Sequence, residues 1–578
     1  MKILKNILRK TVIKKYKNNE ITSKNVGEEL TLFGWIQNER KFGKLTFIDL
    51  RDMHGIIQIV FDNLTSKLGF ETILKVKGKV VLRKEKNPNL QSGEIEVHVS
   101  EYEVLNTSKE LPFLIRDDDN SKEETKLQYR FLDLRKPINT KKIIFRSKFI
   151  NALRTFLIEN DFVEIETPIL SKSTPEGARD FLVPTRNKNK FFSLPQSPQL
   201  YKQLLMASGF ERYFQIARAF RDEDSRKDRQ PEFSQLDMEI SFQDEKVLHS
   251  ITEKMLVYAF EKMNIKIEAP FERLSFDYVM QNYGSDKPDL RYEVKIQDLK
   301  KYFEKSSFEI ISSKKFIKGL FIKEIITKND FKTLEEIAKK NGANILFYSS
   351  VEQGKISRTN FANKDKESVE KIIEDFSIEN GTFFIVASDF ENKVLLSLGA
   401  TRVELNSIFK WANKDQYKFA WIIDWPLFEY DENTNTYSPS HHPFTMYDES
   451  TLVDGKISYE KTKAKSYDLV LNGYELVSGS VRIYKKEIQA QIFKLLNLSQ
   501  KEIEDKFGFF LKAFDYGLPP HCGLAFGIER LIMIMTQSES IREVIAFPKT
   551  SSGQALMEDA PSLVSEEQLK EVFLKVEK

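Results

Sequence analysis

Three stretches of this sequence carry polar side chains in patterns suited to phosphate and carboxylate chemistry. The densest is Phe220-Arg221-Asp222-Glu223-Asp224, followed by Asp228-Arg229-Gln230-Pro231-Glu232-Phe233-Ser234-Gln235-Leu236-Asp237. A guanidinium such as Arg221 grips phosphate oxygens through paired hydrogen bonds, which suits an α-phosphate under attack. Phe233 offers a flat face to a purine. Asp468 and Glu475 precede Ser478-Gly479-Ser480-Val481-Arg482. Two carboxylates beside a phosphate site can hold Mg2+ through oxygen ligands. In Gly523-Leu524-Ala525-Phe526-Gly527-Ile528-Glu529-Arg530, small residues let a strand and a helix pack closely while Arg530 projects into a cleft. Taken singly, each stretch also reads as a solvated charged loop, a chance acid pair or a glycine-containing junction.

Several elements must position these groups. The first stretch needs a hairpin, strand to charged loop to strand. The third needs a strand that runs into an apolar helix at Leu531. Upstream, Phe145, Phe149, Leu153 and Phe156 recur every three to four residues, with Ile150 and Leu157 alongside. That period predicts an amphipathic helix from about Lys141 to Glu159-Asn160-Asp161, then a strand over Phe162 to Ile165. Strand-like runs return at Phe419 to Ile423 and Val481 to Ile483.

The N-terminal part alternates apolar and polar residues at Leu32 to Ile36, Leu45 to Leu50, Ile56 to Phe61, Val76 to Arg83 and Ile95 to Val99. With a helix-like stretch near Leu64 to Phe70, this predicts an OB-fold barrel, a common reader of single-stranded nucleic acid. Leu111-Pro112 and the acidic run Asp117 to Asn120 mark a hinge. The expected division is 1–110 barrel with a short N-terminal extension, 111–140 hinge, 141–283 first part of a core, 284–415 inserted domain, and 416–578 second part of the core with the C-terminal tail. The inserted segment is rich in Lys and Glu and carries no chemical motif.

A chain of 578 residues exceeds what one hydrophobic core supports. The net charge of +3 means that any nucleic-acid surface must come from local clustering of the 89 Lys and Arg. A single cysteine, Cys522, excludes an intrachain disulfide and a Cys-based zinc site, and fits a reducing compartment. No apolar run approaches the ~18–20 residues needed to cross a bilayer. The basic start, Met1 to Lys17, lacks the apolar core and cleavage site of a signal peptide and favours Lys and Ile over the Arg and Ser of an organelle transit peptide, so a cytoplasmic protein is expected, with a transit peptide as the alternative. No Gly-x-x-x-x-Gly-Lys phosphate loop occurs.

The upstream helix and two of these stretches resemble, in order, the three motifs of class II aminoacyl-tRNA synthetases. Motif 1 resembles the helix from Ile143 through Glu166-Thr167-Pro168, motif 2 Phe220 to Asp237, and motif 3 Gly523 to Arg530. Four further segments are similar to bacterial-type aspartyl-tRNA synthetases. Ser173 to Phe181 matches the mobile loop over aspartate, and Pro195 to Leu204 the amino-acid-binding helix. Tyr283-Gly284-Ser285-Asp286-Lys287-Pro288-Asp289-Leu290-Arg291 matches the junction into the inserted domain, and His441-His442-Pro443-Phe444-Thr445 matches as well.

The resemblance implies an α+β multidomain fold: an N-terminal OB-fold barrel, a catalytic core on an antiparallel sheet, and an inserted α/β domain. It implies a homodimer that turns L-aspartate and ATP, with Mg2+, into aspartyl-adenylate and pyrophosphate, then loads tRNA(Asp). Lys202 and Arg482 would pair with the aspartate side chain. Glu176, Gln199, Gln235 and Asp237 would surround its ammonium, with Ser197 and His442 completing the pocket. Arg221 would stabilise the α-phosphate under attack, Phe233 and Arg530 would enclose adenine, and Arg229 and Arg530 would meet the outer phosphates. Glu223 would join the ATP site, and Asp468 and Glu475 would hold Mg2+. In the barrel, Phe47 would stack on an anticodon base, with Arg40, Phe42, Gln58 and one of Glu94 and Glu96 nearby.

Some positions depart from the family pattern. Val477-Ser478-Gly479 stands where glycines are commoner, and Ile528-Glu529-Arg530 where Leu-Asp-Arg is usual. Phe42 is neither the Leu of strict enzymes nor the His of relaxed ones, so charging of tRNA(Asn) as well stays open. Lys202 with Arg482 argues against an asparagine or lysine enzyme. An intact Arg221, Glu475, Arg482 and Arg530 argue against a silent RNA-binding paralogue. His54, His98, His249 and His521 have no evident partner in the sequence.

Overall fold

The structure, a computed structural model, describes residues 16–173, 177–224, 226–431 and 435–577. Glu176 and most of the basic start therefore lie outside the described residues. The chain forms two compact units: Met1–Ile144 with Ala546–Thr550 and Gln554–Pro561, and Phe145–Ile545 with Ser551–Gly553 and Ser562–Lys578.

The first unit is built on a closed five-stranded barrel: β1 (Glu29–Phe42), β2 (Leu45–Arg51), β3 (Ile56–Asp62), β4 (Ile73–Leu82) and β5 (Ile95–Asn106), in the order β1-β2-β3-β5-β4. Strict alternation sends Leu30, Leu32, Ile36, Ile48, Leu50, Ile57, Ile59, Val76 and Val97 inward to one core. The helix expected near Leu64 to Phe70 does not form. There the Glu39 carboxylate takes the Leu68 and Gly69 N–H groups at 3.2 and 3.3 Å, and Gly69 turns at φ +85°. Both bonds pull the segment away from helical pairing. Between barrel and core, the expected hinge contains short helices at Glu123–Gln128 and Arg130–Asp133.

Helix α1 (Pro137–Glu159) opens the path into the second unit. Pro137 suits a first helical position, where its missing N–H costs nothing. Phe149, Leu153 and Leu157 form its buried stripe, and Asp161 reverses the chain at φ +64°. There follow β6 (Val163–Glu164), the hairpin β7 (Leu182–Pro184) and β8 (Phe191–Ser193), helix α2 (Gln199–Ala207), β9 (Arg212–Phe220) and β10 (Glu232–Ser241). After α3 (Glu245–Glu261), β11 (Glu272–Ser275) and α4 (Phe276–Tyr283), the chain leaves for a separate five-stranded sheet. It comprises β12 (Gln297–Asp298), β13 (Phe316–Ile322), β14 (Phe347–Glu352), β15 (Lys355–Thr359) and β16 (Gly381–Ser388), with α5 (Lys328–Lys340) and α6 (Glu391–Phe409) packed on it. The return runs through β17 (Phe419–Ile423), the hairpin β18 (Phe428–Asp431) and β19 (Thr436–Pro439), β20 (Ser466–Leu471), β21 (Tyr474–Val481), β22 (His521–Gly527) and α7 (Ile528–Met535). The run expected as a strand at Val481 to Ile483 is only the end of β21.

The core sheet has eight strands in the order β11-β17-β20-β21-β22-β10-β9-β6. The five inner pairings are antiparallel and the two edge pairings parallel. On β22, Cys522, Leu524 and Phe526 join the core beneath α3 and α7, leaving Gly523, Ala525 and Gly527 on the opposite face.

Candidate active site

Period-2 alternation sets the floor of the site. Phe233, Gln235, Asp237 and Glu239 project from one face of β10. Across the sheet, Asp237 pairs with Ala525, Ala525 with Ser478, and Ser478 with Asp468. One rung of four strands thus carries acid, small residue, small residue and acid. Bulk at β22 would close the floor: a Cβ on Gly523 would lie 1.7 Å from Glu239 Oε2. Of Val477-Ser478-Gly479, only Ser478 brings a side chain to the cavity. Val477 belongs to the core, and Gly479 packs on Tyr467 and Leu524.

A cavity of about 490 Å³ opens above this floor. Ser197, Gln199, Lys202, Gln235, His442 and Arg482 line it, together with Arg221, Glu223, Arg229, Phe233, Glu475, Arg530 and Asp468. Asp237 lies beneath its wall, fully buried. The size suits a nucleotide with a small acid.

At its deep end stands a buried charge network. Lys202 Nζ donates to Asp237 Oδ1 and to the Leu524 carbonyl, both at 3.1 Å, and lies 3.5 Å from Glu239 Oε2. Arg482 grips Glu239 through Nε at 2.8 Å and a second nitrogen at 3.2 Å. It also donates to Ser480 Oγ at 2.6 Å and to His442 Nε2. Burial pushes the Glu239 carboxyl up, but the Arg482 and Lys202 cations outweigh it and hold it below the usual range. Burial raises the Asp237 carboxyl against the pull of Lys202. Burial and then Arg482 push His442 well below its usual value, which keeps it neutral. Buried polar atoms of Asp237 (Oδ2), Gln235 (Oε1), Gln199 (Nε2) and Arg221 (Nε) have no protein partner. Such atoms are costly unless a polar ligand meets them.

At the outer end, the Arg221 guanidinium carbon lies 5.2 Å from the Phe233 ring centre, so Arg221 rather than Arg530 covers that ring here. Arg530 donates to the Glu475 carbonyl at 2.8 Å and pairs with Asp228 at 3.1 Å. Arg229 pairs with Glu223 at 2.7 Å. Glu475 is pushed up by burial and then by the nearby Asp468. A divalent cation relieves such a pair, and the donor set suits Mg2+, which takes one or two carboxylates plus substrate phosphates. No group of three or more His, Cys, Asp or Glu residues poised for a metal occurs among the described residues.

The cavity also collects residues without an expected role: Asp228, Asp286 and His441 from within the matched segments, and Trp425 and Glu429 from outside them. Below it, Glu239 is a further surprise, though it simply continues the alternation of Gln235 and Asp237. Two histidines without an evident partner prove to be buried and engaged. His521 contacts the Pro519 carbonyl at 2.7 Å and Gln203 at 3.2 Å, and His249 stacks on Trp421 at 3.9 Å. His98 lies 3.1 Å from Glu96.

In the barrel unit, Phe47 is half-buried, and its register partner Arg40 lies 3.6 Å from Asp49. Gln58 pairs across from Asp49 and donates to Glu96 at 2.8 Å, while Arg83 donates to Gln58. Glu94 instead pairs with Lys86 at 2.6 Å. Phe42, at the tip of β1, is 80% exposed.

Comparison with known proteins adds to this geometry. The family described as tRNA synthetases class II (D, K and N) matches residues 122–551, and that of the OB-fold nucleic acid binding domain matches 30–105. The chain is 48% identical to the aspartate–tRNA ligase of Malacoplasma penetrans, over 96% of this chain and 98% of that one. It is 45% identical to the aspartate–tRNA(Asp/Asn) ligase of Dictyoglomus turgidum, over 96% and 97%. Among solved structures, the asparaginyl-tRNA synthetase of Pyrococcus horikoshii shares the fold with a TM-score of 0.58 at 19% identity, covering 93% of this chain and 99% of that one. The aspartyl-tRNA synthetase of Entamoeba histolytica gives 0.57 at 18%, covering 94% and 92%.

Proposed function

The chain belongs to the class II aminoacyl-tRNA synthetases, among the bacterial aspartate–tRNA ligases, and on that footing we propose a role for each part of its site. The family's reaction is ATP-dependent activation of aspartate followed by its transfer to tRNA.

The observation that carries the assignment is the Lys202–Asp237–Glu239–Arg482 network at the deep end of the cavity. Two buried cations there meet the aspartate side-chain carboxylate. Asparagine would leave them under-neutralised, and a site built for charge rejects the amide. Asp237 and Gln235 offer unpartnered oxygens to the substrate ammonium, the side-chain oxygen of Gln199 and the carboxylate of Glu176 join them, and Ser197 and His442 complete the pocket.

Activation then depends on position and charge. The substrate carboxylate attacks the α-phosphorus of ATP, pyrophosphate leaves, and no covalent enzyme intermediate is needed. Arg221 leaves Phe233 to meet the α-phosphate, where charge builds in the transition state. Phe233 and Arg530 take adenine between them, Arg229 and Arg530 meet the outer phosphates, and Glu223 orders Arg229. Asp468 and Glu475 hold Mg2+, which when bound neutralises charge on the phosphates. In the barrel, Phe47, Arg40, Phe42, Gln58 and Glu96 form the anticodon face.

The active unit is a homodimer. Ile169, Leu170, Leu182, Phe191 and Phe192 stand exposed around β6, an edge strand of the core sheet, and the β7–β8 hairpin. Sedimentation of Leu170→Asp checks this, since a dimer held there dissociates and an unchanged mass rejects the surface. No helix among the described residues is long and apolar enough to cross a membrane. A cytoplasmic setting is the reading that the single cysteine supports, since it suits a reducing compartment.

Aspartate charging on two transcripts, tRNA(Asp) and tRNA(Asn), tests the function. Charging of tRNA(Asp) alone makes the enzyme strict, and charging of both makes it the relaxed type named for the Dictyoglomus relative. Charging of neither overturns the reading.

A further inference from the structure

The inserted domain has no catalytic motif, yet its root reaches the cavity. The loop that follows α4 carries Asp286, which lines the same cavity as Asp468, Glu475 and Arg530. Asp286 and Lys287 of this loop both lie close enough to Glu475 for their opposite charges to act on it. Farther along this loop, Asp289 lies against the β20–β21 turn: a Cβ on Gly473 would sit 3.5 Å from the Asp289 Cβ. That turn joins the strands that bear Asp468 and Glu475. The loop therefore reaches the Glu475 side of the cavity, taken here as its ATP half, in two places.

The same loop is fastened to α6 of the inserted domain. Arg402 of α6, almost fully buried, donates to three loop carbonyls: Asp289 and Val294 at 2.7 Å and Tyr292 at 3.0 Å. Its guanidinium also lies 4.0 Å from the Tyr292 ring centre and 4.9 Å from that of Tyr283. At the loop's start, the two backbones meet through glycines. A Cβ on Gly284 would fall 2.1 Å from the Leu395 carbonyl oxygen, and one on Gly399 would fall 2.1 Å from the Gly284 oxygen. Gly284 turns at φ +63°, so it serves both the turn and the contact. A rigid fork bonded to three carbonyls fixes a loop far better than a flexible amine can.

We propose that Arg402 is a positioning residue for the ATP half of the active site. Through the loop it holds, the inserted domain sets the placement of Asp286 and of the turn between Asp468 and Glu475. A displacement of α6 is then felt in ATP binding and not in aspartate binding. This rests on the functional assignment above, because it takes that end of the cavity as the ATP end.

The test uses the full-length chain and aspartate-dependent pyrophosphate exchange, with KM measured separately for ATP and aspartate. ATP affinity is read directly by calorimetry across a Mg2+ series. The variants are Arg402→Lys, Gly399→Ala and Asp286→Asn. Each is expected to raise KM and Kd for ATP about tenfold, the scale of one lost charge-assisted bond, while KM for aspartate moves less than about twofold. A role in folding alone would move both constants together, or neither. Equal rises, or an unchanged ATP constant in a variant with a wild-type melting transition, overturn the proposal. If Arg402→Lys and Gly399→Ala do not fold, Asp286→Asn at the cavity wall decides it. A wild-type chain that binds ATP but supports no aspartate-dependent exchange overturns the functional assignment instead, and ATP affinity across the variants still tests the loop.

Discussion

The carboxylate of Glu529 accepts the backbone N–H of Ser234 at 3.1 Å from each of its oxygens. Glu529 directly precedes Arg530, and Ser234 directly follows Phe233. This contact thus ties the start of β10 to the first turn of α7, the two segments that present the proposed adenine pair. Arg146 of α1 completes the clasp at 2.8 Å from Glu529. Glu529→Ala leaves a buried N–H and a largely buried guanidinium without this partner, a loss of about 3 kcal/mol. The expected result is a lower melting temperature and a raised KM for ATP. Glu529→Gln keeps an oxygen acceptor for Ser234 and should lose less than half as much. Equal losses in the two variants would show that charge, rather than the hydrogen bond, holds the clasp.

Acid should weaken this fold through its buried histidines. Burial lowers His249 to about 3 and His521 to about 4, against a usual value near 6.5. Both are neutral when folded and take up protons more readily when unfolded. Their contribution is complete above pH ~6.5 and falls as pH drops toward those folded values, by up to ~1.4 kcal/mol per pH unit for each group. His249→Phe keeps a ring on Trp421 and removes one of these protons. Its unfolding free energy should fall less steeply between pH 6 and 4, in urea titrations at stepped pH. A slope equal to wild type would remove His249 from the account.

The sequence reveals strands and helices well where one face is buried. Barrel strands and α1 follow from periodicity because inward positions exclude water, and β17 from a short continuous apolar run buried on both faces. Leu64 to Phe70 misleads because its apolar residues pack beneath a loop whose N–H groups Glu39 has already taken. At the cavity, residues that share a strand are legible together, since Phe233, Gln235 and Asp237 repeat every second position. Glu239 obeys the same rule and was there to be read. The placement of Asp286, Glu429 and Arg146 was not, although Asp286 and Arg146 fall in matched segments, because only the tertiary fold brings each near the nucleotide end. Arg402 lies farthest from such reading, on a helix whose sequence carries no motif.

Arg221 has a guanidinium that stands over Phe233 with a buried Nε lacking any partner. It is therefore held close to the cavity without being tied down. Arg221→Ala should reduce adenylate formation by ~10²–10³-fold or more, the range for loss of one aimed transition-state donor. tRNA binding, measured by filter retention, should stay near wild type. Normal pyrophosphate exchange in this variant would remove Arg221 from the reaction.

Phe47 tests the barrel separately from the core. Its neighbour Ile48 points into the barrel interior, whereas Phe47 does not belong to that hydrophobic cluster. Phe47→Ala should therefore leave the barrel folded. If the ring stacks on an anticodon base, its loss costs ~1–3 kcal/mol of tRNA binding. Charging at low tRNA concentration should then fall by roughly tenfold or more, while pyrophosphate exchange, which needs no tRNA, stays unchanged. A parallel fall in both assays with a lowered melting temperature would make Phe47 a packing residue. A fall in charging alone would place the anticodon on the face that Phe47 shares with Arg40 and Gln58.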